Sequence, residues 1–204
     1  MCGMYFVEDD IEERIETLVK MVNRERGLED AQLLERDEQL GISARDVRPT
    51  DEAPILSVQK EGLRVRKVRW GLPGFQKNQV IFNVRSETAM DKFREGILRN
   101  RIVIPCSGFY EWNQRKEKNT FKRPDGKAIF MAGFCKGFGE DERYTILTTA
   151  ANASMKMVHD RMPLILEESE IEPWLFKEDW TNSLLRKVPG ELSRSAEYEQ
   201  LSLF

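Results

Sequence analysis

The chain has one histidine, His159, and three scattered cysteines, Cys2, Cys106 and Cys135, in 204 residues. That spacing builds neither a disulfide framework nor a Cys-x-x-Cys metal site, and one histidine argues against structural zinc. No metal or other cofactor is expected. No apolar run approaches the ~20 residues a bilayer-spanning helix needs. The opening MCGMYFVEDD lacks the basic and long apolar regions of a secretion signal. A cytoplasmic protein with no membrane partner is the expectation. Repeats, low-complexity tracts and linkers rich in Pro, Gly or Ser are also missing, so residues 1–204 read as one domain. What is present suits a packed core: 40% hydrophobic and 33% charged residues exclude a disordered tail, a collagen-like rod and a coiled coil.

Net charge is −3, but the charge is segregated. Residues 1–62 carry 8 Lys/Arg against 16 Asp/Glu, residues 63–136 carry 17 against 6, and residues 137–204 carry 7 against 13. A positive middle between acidic ends is the asymmetry of a protein with one anion-binding face. The alternative is that the segments fold against each other and cancel.

Hydrophobic periodicity predicts an amphipathic helix over 10–23, capped by Asp9 or Asp10, and a weaker helix over 28–40. Strands are expected at 54–59 and 63–70. In the second, Leu63/Val65 and Val68/Trp70 alternate on opposite parities, which suggests a bulge near Lys67. QVIFNV (79–84) reads as a buried strand. Ser86 or Thr88 can cap a helix through Arg99. RIVIPC, FYEWN, a turn at Pro124-Asp125-Gly126, KAIFMAGF, RYTILTTA and PLIL (163–166) add further strands. Asn152 can cap a short helix before His159, and short helices fill 170–187. Strands mostly follow strands, so the fold class is α+β, with a mainly antiparallel, β-rich, barrel-like core flanked by short helices.

Several residues can carry chemistry. With Met1 removed, Cys2 presents an α-amine and a thiol on adjacent carbons, with ordinary pKa values of about 7.7–8.0 and about 8.5. Such an aminothiol attacks an aldehyde twice, as an imine and then as a thiazolidine ring. The plainer reading is a small residue tolerated at a chain end. His159, in VHDRMP, carries an imidazole suited to proton transfer near neutral pH. Glu111 sits in the aromatic stretch GFYEW, where a carboxylate is either exposed by alternation or partly buried for acid–base work. Asn83 ends an apolar strand, and its amide can hold a reacting oxygen. Arg85, two residues on, shares its strand face and can grip a phosphate. Trp70 suits either the core or a base stack.

In order, the chain reads MCG, RPT (48–50), RWGL (69–72), FNVRSET (82–88), IPCSGFYEW (104–112), YTILTTAAN (144–152) and HDRMP (159–163). This set resembles the SOS-response-associated peptidase (SRAP) family, which shields abasic sites in single-stranded DNA, and it spans nearly the whole chain. The resemblance implies a compact mixed fold with a positive groove for single-stranded DNA. It implies loss of Met1 and a thiazolidine between Cys2 and the open-chain aldehyde of an abasic site. It places the family's catalytic asparagine, glutamate and histidine on Asn83, Glu111 and His159. DNA contacts would fall on Arg85, Trp70, Arg161, Pro49 and Thr50, with Gly3 leaving room for phosphate. A monomer is expected. The chain departs from the family at Met4, where arginine is usual, at LPGFQK after the tryptophan motif, and in the acidic segment Leu28–Glu38. Two other readings compete: a cysteine peptidase with Cys2 as nucleophile and His159 as base, and a non-catalytic single-strand DNA-binding module.

Overall fold

The computed structural model describes residues 3–28, 42–60, 62–74, 76 and 78–196. The expected helix over 28–40 and the residues Met1 and Cys2 lie outside the described residues. In chain order the elements are β1 (Met4–Val7), α1 (Ile11–Glu25), β2 (Arg45–Val47), β3 (Glu52–Gln59), β4 (Gly62–Trp70), β5 (Leu72–Pro73), β6 (Val80–Ile81), β7 (Asn83–Arg85), α2 (Ser86–Lys92), α3 (Arg94–Arg99) and β8 (Arg101–Cys106). They continue with β9 (Gly108–Trp112), β10 (Lys118–Lys122), β11 (Ile129–Phe138), β12 (Asp141–Ala150), α4 (Ala153–Lys156), β13 (Arg161–Pro163), β14 (Ile165–Leu166), α5 (Glu168–Phe176), α6 (Glu178–Leu185) and β15 (Ser193–Ala196).

Five strands close a barrel in the order β12-β4-β3-β8-β11, with β11 pairing back onto β12. Four of these pairings are antiparallel, and the closing β12–β4 pair is parallel. β7 also runs parallel to β12. A second sheet, β15-β10-β9-β1-β2, stacks its strands antiparallel. The chain crosses from barrel to second sheet at Ser107, whose N–H bonds Phe6 O at 2.9 Å and whose Oγ accepts from Glu8 N–H at 2.8 Å. The α+β, β-rich, barrel-like architecture expected from the strand spacing is the one observed.

α1 forms because Ile11, Ile15, Leu18, Val19 and Val22 recur at helical spacing, and all five are buried. Each contributes roughly 1.5–3 kcal/mol through apolar burial. Asp10 holds the N-cap position without a capping bond; its carboxylate takes Arg14 instead. No bulge interrupts β4. Its register with β3 runs unbroken from Glu52↔Arg69 to Gln59↔Gly62. The change of parity has another cause: β4 is covered on opposite faces at its two ends. Leu63 lies under α1, where the Asn23 side chain bonds both its N–H (2.8 Å) and its C=O (3.1 Å). Trp70, of opposite parity, turns inward. The strand expected over 79–84 is broken at Phe82 into β6 and β7; it is exposed at Gln79, half-buried from Val80 to Asn83 and buried only at Val84. The helix expected through Arg99 is broken at Phe93, which leaves helical geometry (φ −136°) and separates α2 from α3. Arg85, not Ser86 or Thr88, stands at the N-cap of α2.

Candidate functional site

Four chain segments converge on β12 and the second sheet. In the parallel β7–β12 pair, Asn83 faces Ile146, Val84 faces Leu147 and Arg85 faces Thr148. Val84 is buried, so Asn83 and Arg85 share the opposite face, as expected from period two. Arg85 is exposed and makes no ion pair among the described residues. Beyond β12, Asn152 starts α4. Its Oδ1 accepts from Met155 N–H (3.1 Å) and Ser154 Oγ–H (2.7 Å), while its Nδ2 donates to the carbonyls of Pro189 (3.2 Å) and Gly190 (2.7 Å). This clamp fixes the turn whose Met155 carbonyl takes the His159 backbone N–H at 3.0 Å.

The His159 ring is 27% exposed. Its Nδ1 accepts the Arg161 backbone N–H at 2.9 Å and stands 2.9 Å from Asp160 Oδ1. One in-plane lone pair cannot serve both. The amide proton cannot leave, whereas Asp160 is 82% exposed and free to hydrate. With Nδ1 accepting that amide, the neutral ring carries its proton on Nε2.

Glu111 lies on β9, only 5% exposed, with Oε1 3.4 Å from Trp112 N–H. β1 pairs antiparallel with β9, Met4 opposite Tyr110 and Tyr5 opposite Phe109. The start of β1 is thus one position from Glu111, and half-buried Gly3 leads into it. Gly108 permits this approach: a Cβ there would stand 2.5 Å from the Phe6 ring and 2.6 Å from Phe121 O. β1 is locked to the barrel by Tyr5, whose hydroxyl shares a 2.8 Å hydrogen bond with that of Tyr144. Burial pushes both phenols well above their ordinary range.

Trp70 is not a surface ring. It is fully buried, 5.3 Å from Tyr5, 6.0 Å from Phe82 and 6.2 Å from Tyr144 between centroids, and its Nε1–H donates to Phe82 O at 2.8 Å. Of the two placements expected for Trp70, the core is the one observed: the ring has no exposed surface to offer a base. What Trp70 does is hold β1 against the segment entering Asn83. Arg161 is likewise withdrawn. Its residue is 8% exposed, with its guanidinium bonded to both Glu87 oxygens (2.5 and 2.8 Å) and to Thr148 O (2.6 Å). That hydrogen bonding holds the Glu87 carboxyl below its usual range. Glu87 lies in the FNVRSET motif but carried no expected role; its place in the first turn of α2 was the only available signal.

Pro49 and Thr50 form a turn beside β4. Thr50 N–H bonds Trp70 O (2.8 Å), Trp70 N–H bonds Asp51 O (2.9 Å), and the Asp51 carboxylate accepts Arg48 N–H (2.8 Å). Thr50 is exposed at φ +84°, a left-handed conformation costly for a β-branched residue. The two other thiols are inaccessible: Cys106 is 0% and Cys135 1% exposed, and burial pushes the Cys135 thiol up to about 12. Among the described residues, no three His, Cys, Asp or Glu side chains gather as a metal site requires.

The segregated charge partly cancels. Arg69 pairs with Glu52, Lys122 with Glu8, Arg66 with Glu142, Arg123 with Glu167 and Lys127 with Glu168, each joining the basic middle to an acidic end. No helix among the described residues is long and apolar enough to cross a membrane.

Solved structures share the fold. A protein from Bordetella bronchiseptica superposes with a TM-score of 0.71 at 22% identity, over 96% of this chain and 99% of its own. One from Bacteroides thetaiotaomicron gives 0.64 at 24%, over 74% and 76%. In sequence, the chain is 33% identical over 171 residues to the abasic site processing protein YoaM of Bacillus subtilis, covering 73% of this chain and 74% of that protein. It is 31% identical over 148 residues to the abasic site processing protein YedK of Escherichia coli, covering 67% and 66%. Residues 1–201 match the family model described as SOS response associated peptidase (SRAP), and the chain belongs to that family.

Proposed function

We propose that this chain handles abasic sites in single-stranded DNA by bonding to them covalently through Cys2 once Met1 has been removed. The observation that carries the reading is the β1–β9 register, which brings the start of the first strand beside the buried carboxylate of Glu111. The enclosure of Cys106 and Cys135 supports it, since no other thiol of the chain is accessible. The names of the relatives supply the lesion.

The chemistry follows from the groups present. An abasic deoxyribose exchanges between a closed ring and an open aldehyde. The Nε2–H of His159 hydrogen-bonds the ring oxygen as the ring opens, and the C1 hydroxyl proton ends on that oxygen as the C1 carbonyl forms. The Cys2 amine adds to the aldehyde carbon to give a carbinolamine, and Glu111 relays the Cys2 thiol proton to its hydroxyl, which leaves as water to give an iminium that keeps its N–H. The Cys2 thiolate then adds to the iminium carbon, the nitrogen takes back the π electron pair while keeping its N–H, and a five-membered thiazolidine closes. One water is lost per adduct. The Asn83 amide orients the sugar oxygen or the amine, and Arg85 grips a flanking phosphate. Pro49 and Thr50, on their exposed turn, sit against the strand. Proton transfer by a placed acid or base is worth ~10²–10⁴ in rate.

Intact mass after incubation with an abasic oligonucleotide tests the reading. A denaturation-stable species is expected at the mass of protein without Met1 plus DNA minus one water. The proposal fails if no such species forms, or if Cys2→Ala still forms it. A wild type that binds the abasic strand but forms no adduct would leave only noncovalent DNA binding.

A further inference from the structure

We infer that Met157 is an apolar wedge that fills the gap left by the missing base, with Lys156 holding the phosphate beside it; the inference rests on the reading proposed above, in which the His159 turn faces the abasic sugar. The burial of Trp70 leaves the base contact expected of that ring unfilled. Met157 is 84% exposed, the most of any large apolar side chain among the described residues. It precedes His159 by two positions, so the two Cα atoms stand no more than ~7 Å apart. A single apolar side chain on a surface is ordinary. One fixed this close to a group able to exchange protons with the substrate is a placed contact.

The turn gives that side chain one direction to take. Met155 and Val158 on either side of it are 0% and 7% exposed. The Met155 carbonyl closes the turn by accepting the N–H groups of Val158 (2.9 Å) and His159 (3.0 Å). α4 is fixed in turn by the Asn152 cap, whose Nδ2 ties it to the carbonyls of Pro189 and Gly190. Turning Met157 inward would pull Met155 or Val158 out of the core, so the thioether is held toward solvent on a stiff base. Lys156, the last residue of α4, is exposed and makes no ion pair among the described residues. Asp160, on the far side of His159, is 82% exposed and repels phosphate, which leaves the Lys156 side for the DNA backbone. In a single strand, the bases flanking an abasic nucleotide close over the gap and cover the sugar. Apolar side chains, methionine among them, hold base steps apart when inserted. The thioether is unbranched and polarizable, so it adapts to any flanking base. A wedge of this kind keeps the sugar carbon open toward His159 and reads no sequence.

The test uses protein carrying Cys2→Ala, so that binding is read without crosslinking. The probe is a single strand with a tetrahydrofuran abasic analogue beside 2-aminopurine, a base whose fluorescence rises when it is unstacked. Binding should brighten it. Adding Met157→Ala or Met157→Gln should remove most of that rise and weaken affinity for the abasic strand about three- to tenfold. Affinity for the same strand with every base present should stay within about twofold. Met157→Leu, which keeps the apolar volume, should restore both signals. Because the side chain is exposed, Tm should hold within about 2 °C in all three. Lys156→Ala should weaken both strands alike and flatten the salt dependence by about 0.7 log units per log unit of salt. Equal losses on the two strands in Met157→Ala, or an unchanged 2-aminopurine signal, overturn the inference. So does a Met157→Ala protein that loses self-association and keeps its DNA binding, because the side chain would then serve a contact between copies of this chain. None of these readouts needs an adduct, so a wild type that fails to crosslink sinks the covalent reading and leaves the wedge to be decided by its own signals.

Discussion

Replacing Trp70 separates a scaffold ring from a DNA-stacking ring. The side chain is fully buried and packs against Tyr5, Phe82 and Tyr144. Truncating a core aromatic to alanine costs about 3–5 kcal/mol through lost burial and the cavity left behind. Removing the Nε1–H also strips one donor from Phe82 O, which keeps its 3.2 Å bond from Ile146 N–H, so this part stays near the low end of about 1–3 kcal/mol. Trp70→Ala should therefore lose about 4–6 kcal/mol, a large share of the ~5–15 kcal/mol that usually holds a domain together. At about 2–4 °C per kcal/mol for a chain of this size, Tm should fall by roughly 10–20 °C. Trp70→Phe keeps most of the volume and should lose about 1–3 kcal/mol. A base-stacking tryptophan behaves in the opposite way: stability stays and binding drops by about 1–3 kcal/mol. Thermal scans paired with single-strand titrations read both quantities. A Trp70→Ala protein with wild-type Tm and weakened DNA binding would refute the packing account and restore the surface role.

Thr50 should be better as glycine for stability alone. Leaving the left-handed strain gains about 1–2 kcal/mol, of which glycine's unfolded-state freedom takes back about 0.5–1, so urea unfolding of Thr50→Gly should show a net gain below about 1.5 kcal/mol; a loss would mean the turn carries no strain. Native alkylation at pH 8 should spare Cys106 and Cys135, both enclosed, with the latter's thiol pushed up to about 12; peptide mapping that finds either modified before unfolding would contradict the packing. The Glu87 carboxyl is held below its ordinary range chiefly by the hydrogen bonds from Arg161. A lowered folded pKa stabilises above the unfolded value of about 4.3, and that contribution drains away as pH falls through the folded value. Acid unfolding of the wild type should accordingly show a stability loss below about pH 4.3 that Glu87→Gln lacks, and superimposable acid limbs would break the link.

The local pattern was readable wherever one face of an element decides its burial. α1 follows from five apolar residues at helical spacing, and the Asn152 cap and the turn at Gly126 (φ +69°) follow from side-chain chemistry. What local pattern does not contain is closure. The parallel pairing of Tyr144 with Trp70 completes the barrel, and nothing within either strand names its partner. β4 misled for a related reason: its parity change looks like a bulge only if one face is assumed wet throughout, whereas α1 covers one end and Tyr5, Phe82 and Tyr144 pack on Trp70 at the other. The break at Phe93 has the same origin, since its ring packs 5.3 Å from Phe134 of β11, a contact no helical periodicity encodes.

The site residues show why family motifs localise a function without assigning its parts. Each motif interleaves residues of opposite fate, because adjacent side chains on a strand face opposite ways. In RWGL, Arg69 is exposed and Trp70 is buried. In FNVRSET, Asn83 and Arg85 share the face opposite buried Val84, and Glu87 begins the next helix with its carboxylate turned to Arg161. In HDRMP, the imidazole is partly open while the arginine two positions on is withdrawn. A cation beside a histidine reads in sequence as a second ligand for DNA. The fold also gives it a countercharge 74 positions earlier, and the β7–β12 pairing brings the two segments together. Among the cations expected to meet DNA, Arg85 is exposed and makes no ion pair among the described residues. Mutating Arg85 should flatten the salt dependence of binding by about 0.7 log units per log unit of salt, the share of one phosphate contact. An undiminished slope in Arg85→Ala would move the phosphate grip elsewhere on the barrel.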